Sequence, residues 1–461
     1  MEYFMNSISR RNILQGFGAI GASTVLSALT SVPASAATKN FTSVKELQRA
    51  IDTASPGDVL TLAPGNYMDA EITVSQDGIT VSAQTPGTVI FGGASKVSLK
   101  ADSTIFTGFQ FIDGDISGIV IKVSGSKNQI SDLNFSDYSA EKYINIEPGA
   151  QYNDISYCNF EDKPESAPIG NLVGVLPDPE IPGYNRIRFC SFKNLPGPGG
   201  DYGNEPIRIG VGAKSDFISR TIIENCYWEN AGLGDSESIS IKCRENVIRY
   251  CTFNNNQEGM LVFRNGNDNM AYGNSFINSG GIRVKEASNI FVFSNYFENS
   301  GIDGKASSVA FDYIPGNLKN INFLFNTFVN CAPIDLGGNG PSLNRWSNNL
   351  FKNKSGAIFQ NPNAGTKWLG NKYQGVTGLP KTLGLLASKV RSLALTGFIS
   401  PVMYSGLTPT NPLSRDFKRT LRPQKISLWD VGAIQTLKVP AKSTAVTAIT
   451  TGPRYLQTAG Q

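Results

Sequence analysis

One pattern returns through most of the chain: an apolar residue, two others, then Asn or Cys, one more, then an aromatic. It runs as Ile155-x-x-Cys158-x-Phe160, Ile187-x-x-Cys190-x-Phe192, Ile223-x-x-Cys226-x-Trp228 and Ile248-x-x-Cys251-x-Phe253. With Asn it continues through Asn274/Phe276, Asn295/Phe297, Asn326/Phe328, Asn349/Phe351 and Asn371/Tyr373, and weaker copies end at Phe111 and Phe135. The mean step between closing aromatics is about 26 residues, a period that marks a solenoid rather than a closed globular domain. The strands are too short for leucine-rich repeats, and no helical period separates them. The sequence therefore predicts an all-β, right-handed parallel β-helix with three short strands per coil. Ten steps at the strand spacing give a core about 48 Å long.

Like residues should stack coil upon coil. Cys158, Cys190, Cys226 and Cys251 fill the position that Asn takes later, so they read as an inward stack of thiols. Disulfides between coils would need Cβ vectors that stacking alone does not guarantee, and no C-x-x-C spacing suggests a metal site. Val44, Leu47, Ala50 and Ile51 follow a helical period, which predicts a short helix over 41–53 capping the open end. Three segments follow: 1–36, the β-helix over 37–375, and a C-terminal extension over 376–461. A helix is expected at 383–396, extended chain from about 410 that packs on or caps the β-helix, and a loose Thr/Ala/Gly-rich tail from about Ser443.

Residues 1–36 read as an export address. Ser9-Arg10-Arg11-Asn12-Ile13-Leu14 is a twin-arginine pattern, followed by an apolar Gly/Ala-rich stretch and Ala34-Ser35-Ala36 as a cleavage site. An uncleaved anchor is the other reading. The expected mature protein is periplasmic or secreted, with no membrane attachment after the signal is removed.

The chain contains no histidine, which excludes Ser-His-Asp and Cys-His hydrolases, His-ligated zinc and imidazole bases. A formal net charge of +4 is too small to argue for nucleic acid, and leaves an acidic polymer open as substrate. Polar and charged residues are densest between Asp201 and Arg283, in NEPIRIG (Asn204 to Gly210), DSESISIKCREN (Asp235 to Asn246), FRNGN (Phe263 to Asn267) and GGIRV (Gly280 to Val284). Consecutive coils contribute these segments at similar phase, which would make Asp235, Glu237, Lys242, Arg264 and Arg283 neighbours on one face. Such a patch is ordinarily solvated surface. Here, however, Asp235, Glu237 and Asn204 form a candidate hard-cation site. Lys242 is a candidate base, if Arg264 and a cation bring it below the usual pKa of about 10.4. Glu237 and Lys242 differ by five, so in one straight strand they would face opposite sides. A corner or bulge near Ser238 must reset the alternation.

These four motifs, in this order, resemble polysaccharide lyase family six, the alginate lyase and chondroitinase B family. The ending, Ser400-Pro401 through Asp430-Val431-Gly432-Ala433, is similar to a common β-helix terminus. The resemblance implies a parallel β-helix that cleaves uronic-acid polymers by β-elimination. Matched residue by residue, it implies Lys242 as base, Arg264 as acid, and Asn204, Asp235 and Glu237 as calcium ligands, with Arg208 and Arg283 gripping substrate carboxylates. Two departures stand out. Asp235 replaces a customary Glu, and Asn265, an expected substrate contact, replaces a customary His. The implied partner is an anionic polysaccharide, with alginate expected and chondroitin or dermatan sulfate as alternatives. A β-helix glycosidase would need two flanking carboxylates, and the polygalacturonase type also uses a histidine absent here. A non-catalytic carbohydrate-binding protein is the rival from another class.

Overall fold

The protein is described by a computed structural model. It describes residues 38–195, 203–231, 237–256, 258–301, 309–312, 318–337, 344–353, 358–361 and 365–374, with short pieces between 416 and 457. The export-signal segment, the helix expected at 383–396 and Asp235 lie outside these residues.

The chain winds as a right-handed parallel β-solenoid of about 12 turns. Among the described residues, three parallel sheets run along it: sheet 1 has 14 strands, sheet 2 has 13 and sheet 3 has 12. A coil enters sheet 1 (Asp154–Ser156, for example), turns into sheet 2 (Asn159–Glu161), then crosses to sheet 3 (Asn171–Val175). All pairing is between equivalent strands of successive coils, so the sequence period becomes the axial repeat.

The turn between sheets 1 and 2 explains the sequence pattern. One residue there adopts the left-handed conformation in coil after coil: Tyr157 (φ 55), Phe189 (φ 54), Asn225 (φ 53), Tyr250 (φ 57), Ser294 (φ 54) and Phe325 (φ 54). Each non-glycine residue in this region costs about 1–2 kcal/mol. The cost is offset by the next two inward positions. At the first, asparagines form a ladder: Asn274 Nδ2 donates to Asn295 Oδ1 (3.0 Å), Asn295 to Asn326 (3.0 Å), Asn326 to Asn349 (3.1 Å) and Asn349 to Asn371 (3.0 Å). At the second, rings stack with centroids 4.5–5.2 Å apart from Phe135 to Tyr373. Stacked aromatic pairs add about 0.5–1.5 kcal/mol each beyond burial. The stack begins earlier than the pattern does, with Tyr67 and Phe91 ahead of Phe111, so the solenoid has coils before the repeat becomes visible.

All six cysteines are free and buried, including the four expected to stack, Cys158, Cys190, Cys226 and Cys251. Burial pushes the Cys243 and Cys331 thiols up to about 12, so neither is a thiolate near neutrality. Helix α1 (Val44–Asp52) caps the first coils. The Ser43 hydroxyl accepts from the Glu46 N–H, and Leu47 and Ile51 are fully buried. A strand the sequence did not announce, Thr38–Phe41, precedes it and pairs with Val59–Leu62. Pieces of the C-terminal segment lie against the left-handed corner. The Gly452 N–H donates to the Phe189 carbonyl, Gly432 N–H to that of Asn348, and the Arg419 guanidinium sits 4.0 Å over the Tyr250 ring. The tail expected to be loose is pinned where it is described: Arg454 forms an ion pair with Asp132 and begins a short helix, Arg454–Gln457.

Candidate active site on sheet 3

Sheet 3 buries two residue columns: Ile207, Ile239, Leu261 and Ile282 pair in register, as do Ile209, Ile241, Phe263 and Val284. The residue between those columns faces outward. Arg208 pairs with Ser240, Ser240 with Val262 and Val262 with Arg283, so both arginines share one outward column. They stand three coils apart, about 14 Å along the axis, and cannot grip the same carboxylate.

The second outward column lies one residue past Ile241 and Phe263. Lys242 and Arg264 occupy equivalent positions there in adjacent coils, and Lys285 pairs with Arg264 in the next. Three cationic side chains therefore line the ends of three successive strands. The alternation that separates Glu237 from Lys242 is reset as expected: the register of Glu237–Ile241 against Met260–Arg264 shifts between Glu237 and Ile239. That bulge places Glu237 beneath the cationic column.

Two buried carboxylates hold the column. Lys242 Nζ donates to Glu205 Oε1 at 2.9 Å, and Arg208 Nη1 lies 3.4 Å from Glu205 Oε2. Arg264 Nη1 donates to Glu237 Oε1 at 2.8 Å, while the Ser240 hydroxyl donates to Glu237 Oε2. Glu205 and Glu237 are 8% and 1% exposed, whereas Arg208 and Arg264 remain open on the sheet face. The arrangement presents cations to an approaching anion and fixes them from below. Asn265 turns the chain after Arg264 with φ 65, and its Nδ2 donates to Glu286 Oε2 at 2.8 Å, so its amide is directed to the corner beside the column. Cys243, next to Lys242, is a buried ladder residue.

Of the three donors assigned to calcium, Asp235 lies outside the described residues, and the Asn204 side chain is engaged elsewhere. Lys163 Nζ donates to Asn204 Oδ1 at 2.8 Å and to the Pro168 carbonyl at 2.7 Å, and the Gly170 N–H donates to the same Asn204 oxygen at 3.2 Å. Both lone pairs of that carbonyl are used. Lys163 is 3% exposed, and burial lowers its pKa to about 8, against a smaller upward pull from Glu141. A hard divalent ion wants six to eight oxygens at about 2.3–2.6 Å. An ion sharing the Asn204 oxygen with the ammonium would sit within about 5 Å of it, a repulsion of about 7 kcal/mol at an effective dielectric of about 20. Among the described residues no cluster of three or more Asp, Glu, Cys or His could hold a metal. Asn204, Glu205 and Glu237 as arranged do not fit a calcium ion.

The sequence missed Glu205 as the partner of Lys242, and Lys163 and Lys285 altogether. A signal existed. The two longest steps of the aromatic series, Phe160 to Phe192 and Phe192 to Trp228, carry the insertions from which Lys163 and Asn204 come.

With this geometry in place, comparison with known proteins decides the lineage. The profile of the chondroitinase B family matches residues 41–362, most of the chain. The chain belongs to that family, polysaccharide lyase family six. Among solved structures it is similar to the family-six alginate lyase AlyGC, at 24% identity and a TM-score of 0.67 over 76% of this chain and 53% of that one. It thus spans about half the length of AlyGC. A mannuronic acid specific family-six lyase from human gut microbiota aligns at 21% identity and a TM-score of 0.63, over 75% of this chain and 88% of that one. Pedsa3628 from Pseudopedobacter saltans, a family-six polysaccharide lyase, aligns at 21% identity and a TM-score of 0.58, over 75% and 97%. No curated protein matches the chain. At these identities the solved structures speak for the fold, and family membership rests on the profile.

Proposed function

We propose that the chain is a polysaccharide lyase that cleaves a uronic-acid polymer, alginate foremost, by β-elimination. The observation that carries this reading is the pairing of Lys242 and Arg264 at equivalent positions on adjacent strands, each fixed by its own buried carboxylate. An elimination needs a base on one side of the C4–C5 bond and an acid or strong donor at the leaving oxygen, and two such groups about one strand spacing apart meet that need.

In the proposed reaction, Arg208 and its neighbours neutralise the uronate carboxylate, which eases removal of the proton on the adjacent C5. Lys242, in its neutral form, takes that proton. Its own ammonium proton must first leave, and Glu205 at 2.9 Å is the described acceptor nearest to it. Electrons from the C5–H bond form the C4–C5 double bond as the C4–O bond breaks, and Arg264 donates to the departing oxygen. No water enters. Arg283 would hold a carboxylate of a different sugar along the polymer, and Asn265 would limit the corner beside Arg264. Two structures of similar fold are alginate lyases in complex with G6 and with a trisaccharide, which fits a polymer-binding face on this fold. The twin-arginine pattern supports export to the periplasm or beyond.

Incubation of the purified protein with alginate, chondroitin or dermatan sulfate, and pectate tests the reading. Ultraviolet absorbance should rise as unsaturated ends form, with alginate giving the fastest rise. Reducing ends without absorbance would indicate a hydrolase. Binding of a polymer with no cleavage would favour the carbohydrate-binding reading.

A further inference from the structure

We propose that the Lys163 ammonium is a built-in replacement for a divalent cation, so that the site works with no metal bound beside Lys242. The statement about catalysis rests on the lyase reading above; the statement about metal exclusion does not.

Three observations carry it. The only side-chain atom of Asn204 able to ligate a hard cation is Oδ1, and that oxygen already accepts from the Lys163 ammonium and the Gly170 N–H. The lysine is held as a cation would be, by carbonyl oxygens: Asn204 Oδ1 and the Pro168 backbone oxygen, with the Tyr143 ring 5.9 Å away. A buried ammonium coordinated this way is a charge placed by the fold, since leaving it unpartnered would be costly. Finally, Asn204 directly precedes Glu205, whose carboxylate accepts from Lys242. The positive charge therefore lies at the strand start that feeds the catalytic column, where a metal would otherwise bias the approach of a substrate carboxylate. Among the described residues, the acidic member of the expected ligand set, Glu237, is committed to Arg264 and Ser240.

The test is calorimetric titration of calcium into the EGTA-dialysed protein, wild type and Lys163→Ala, with the alginate rate measured alongside. For the wild type we expect no calcium binding up to about 1 mM, the weak end of protein calcium sites, and a rate that neither EGTA nor calcium alters. For Lys163→Ala we expect a new calcium site, and a rate that falls about a hundredfold in EGTA and recovers with calcium, as for loss of one preorganised electrostatic contact. Lys163→Arg should stay insensitive to calcium. One calcium bound by the wild type in that range, and lost in Glu237→Gln, would overturn the proposal. So would a folded Lys163→Ala protein that binds no calcium. If the alanine variant does not fold, Lys163→Met keeps the stem's volume and takes its place. Should no polymer be cleaved while the wild type ignores calcium and the variant binds it, the lyase reading fails and metal exclusion stands.

Discussion

The left-handed corner between sheets 1 and 2 and the strand ends of sheet 3 are built from the same coils but obey opposite rules. At the corner, from Cys158 onward, each coil repeats its neighbour: one left-handed residue, one Asn or Cys, one ring. Each polar group there is answered by the equivalent group one coil on. At the ends of the sheet 3 strands the repeat breaks. Gly174, Arg208, Ser240, Val262 and Arg283 succeed one another in one column, and buried carboxylates are answered by cations from other coils. Repetition buys a rigid rod, and its local suspension marks where chemistry has been installed.

Substitutions should separate the two regions cleanly. Lys242→Ala should lower the lyase rate about a hundred- to ten-thousandfold, the usual worth of a positioned base, with urea stability nearly unchanged. A large stability loss would mean that the Lys242–Glu205 pair is scaffold. Phe276→Ala removes a ring stacked at 4.7 Å on both Phe253 and Phe297, and should cost about 3–5 kcal/mol in urea denaturation. The rate per folded molecule should be little changed. Asn326→Ala deprives the Asn295 backbone and side-chain N–H groups of their acceptor, and should cost about 1–3 kcal/mol. Substituting Cys at that position should cost less, since earlier coils accept it. Arg454→Ala breaks an ion pair whose arginine is 61% exposed, and should cost no more than about 1 kcal/mol. An effect larger than that would assign the C-terminal segment a structural role the other contacts do not carry.

Which features the sequence disclosed follows from the same contrast. The solenoid was readable because a stacked corner must repeat in sequence, so Cys158 and Asn274 could be equated without coordinates. The bulge near Ser238 was readable too, because Glu237 and Lys242 could not otherwise share a face. The first coils were hidden: Tyr67 and Phe91 join the ring stack without the preceding Asn or Cys that gave the later coils away. Lys163 was hidden for a different reason. Its contact with Asn204 joins two insertions of unlike length, and nothing in the repeat specifies how such loops meet. The expectation of a calcium site arose from residue types and from the family resemblance, neither of which discloses that the Asn204 oxygen accepts from Lys163.

In the proposed reaction Lys242 and Arg264, on adjacent coils, carry out a β-elimination. Ultraviolet absorbance of an alginate solution treated with EGTA-dialysed protein measures it most directly. A steady rise is expected, and Lys242→Ala and Arg264→Ala should each slow it at least about a hundredfold while both variants remain folded. A rise of undiminished rate with Lys242→Ala would contradict it.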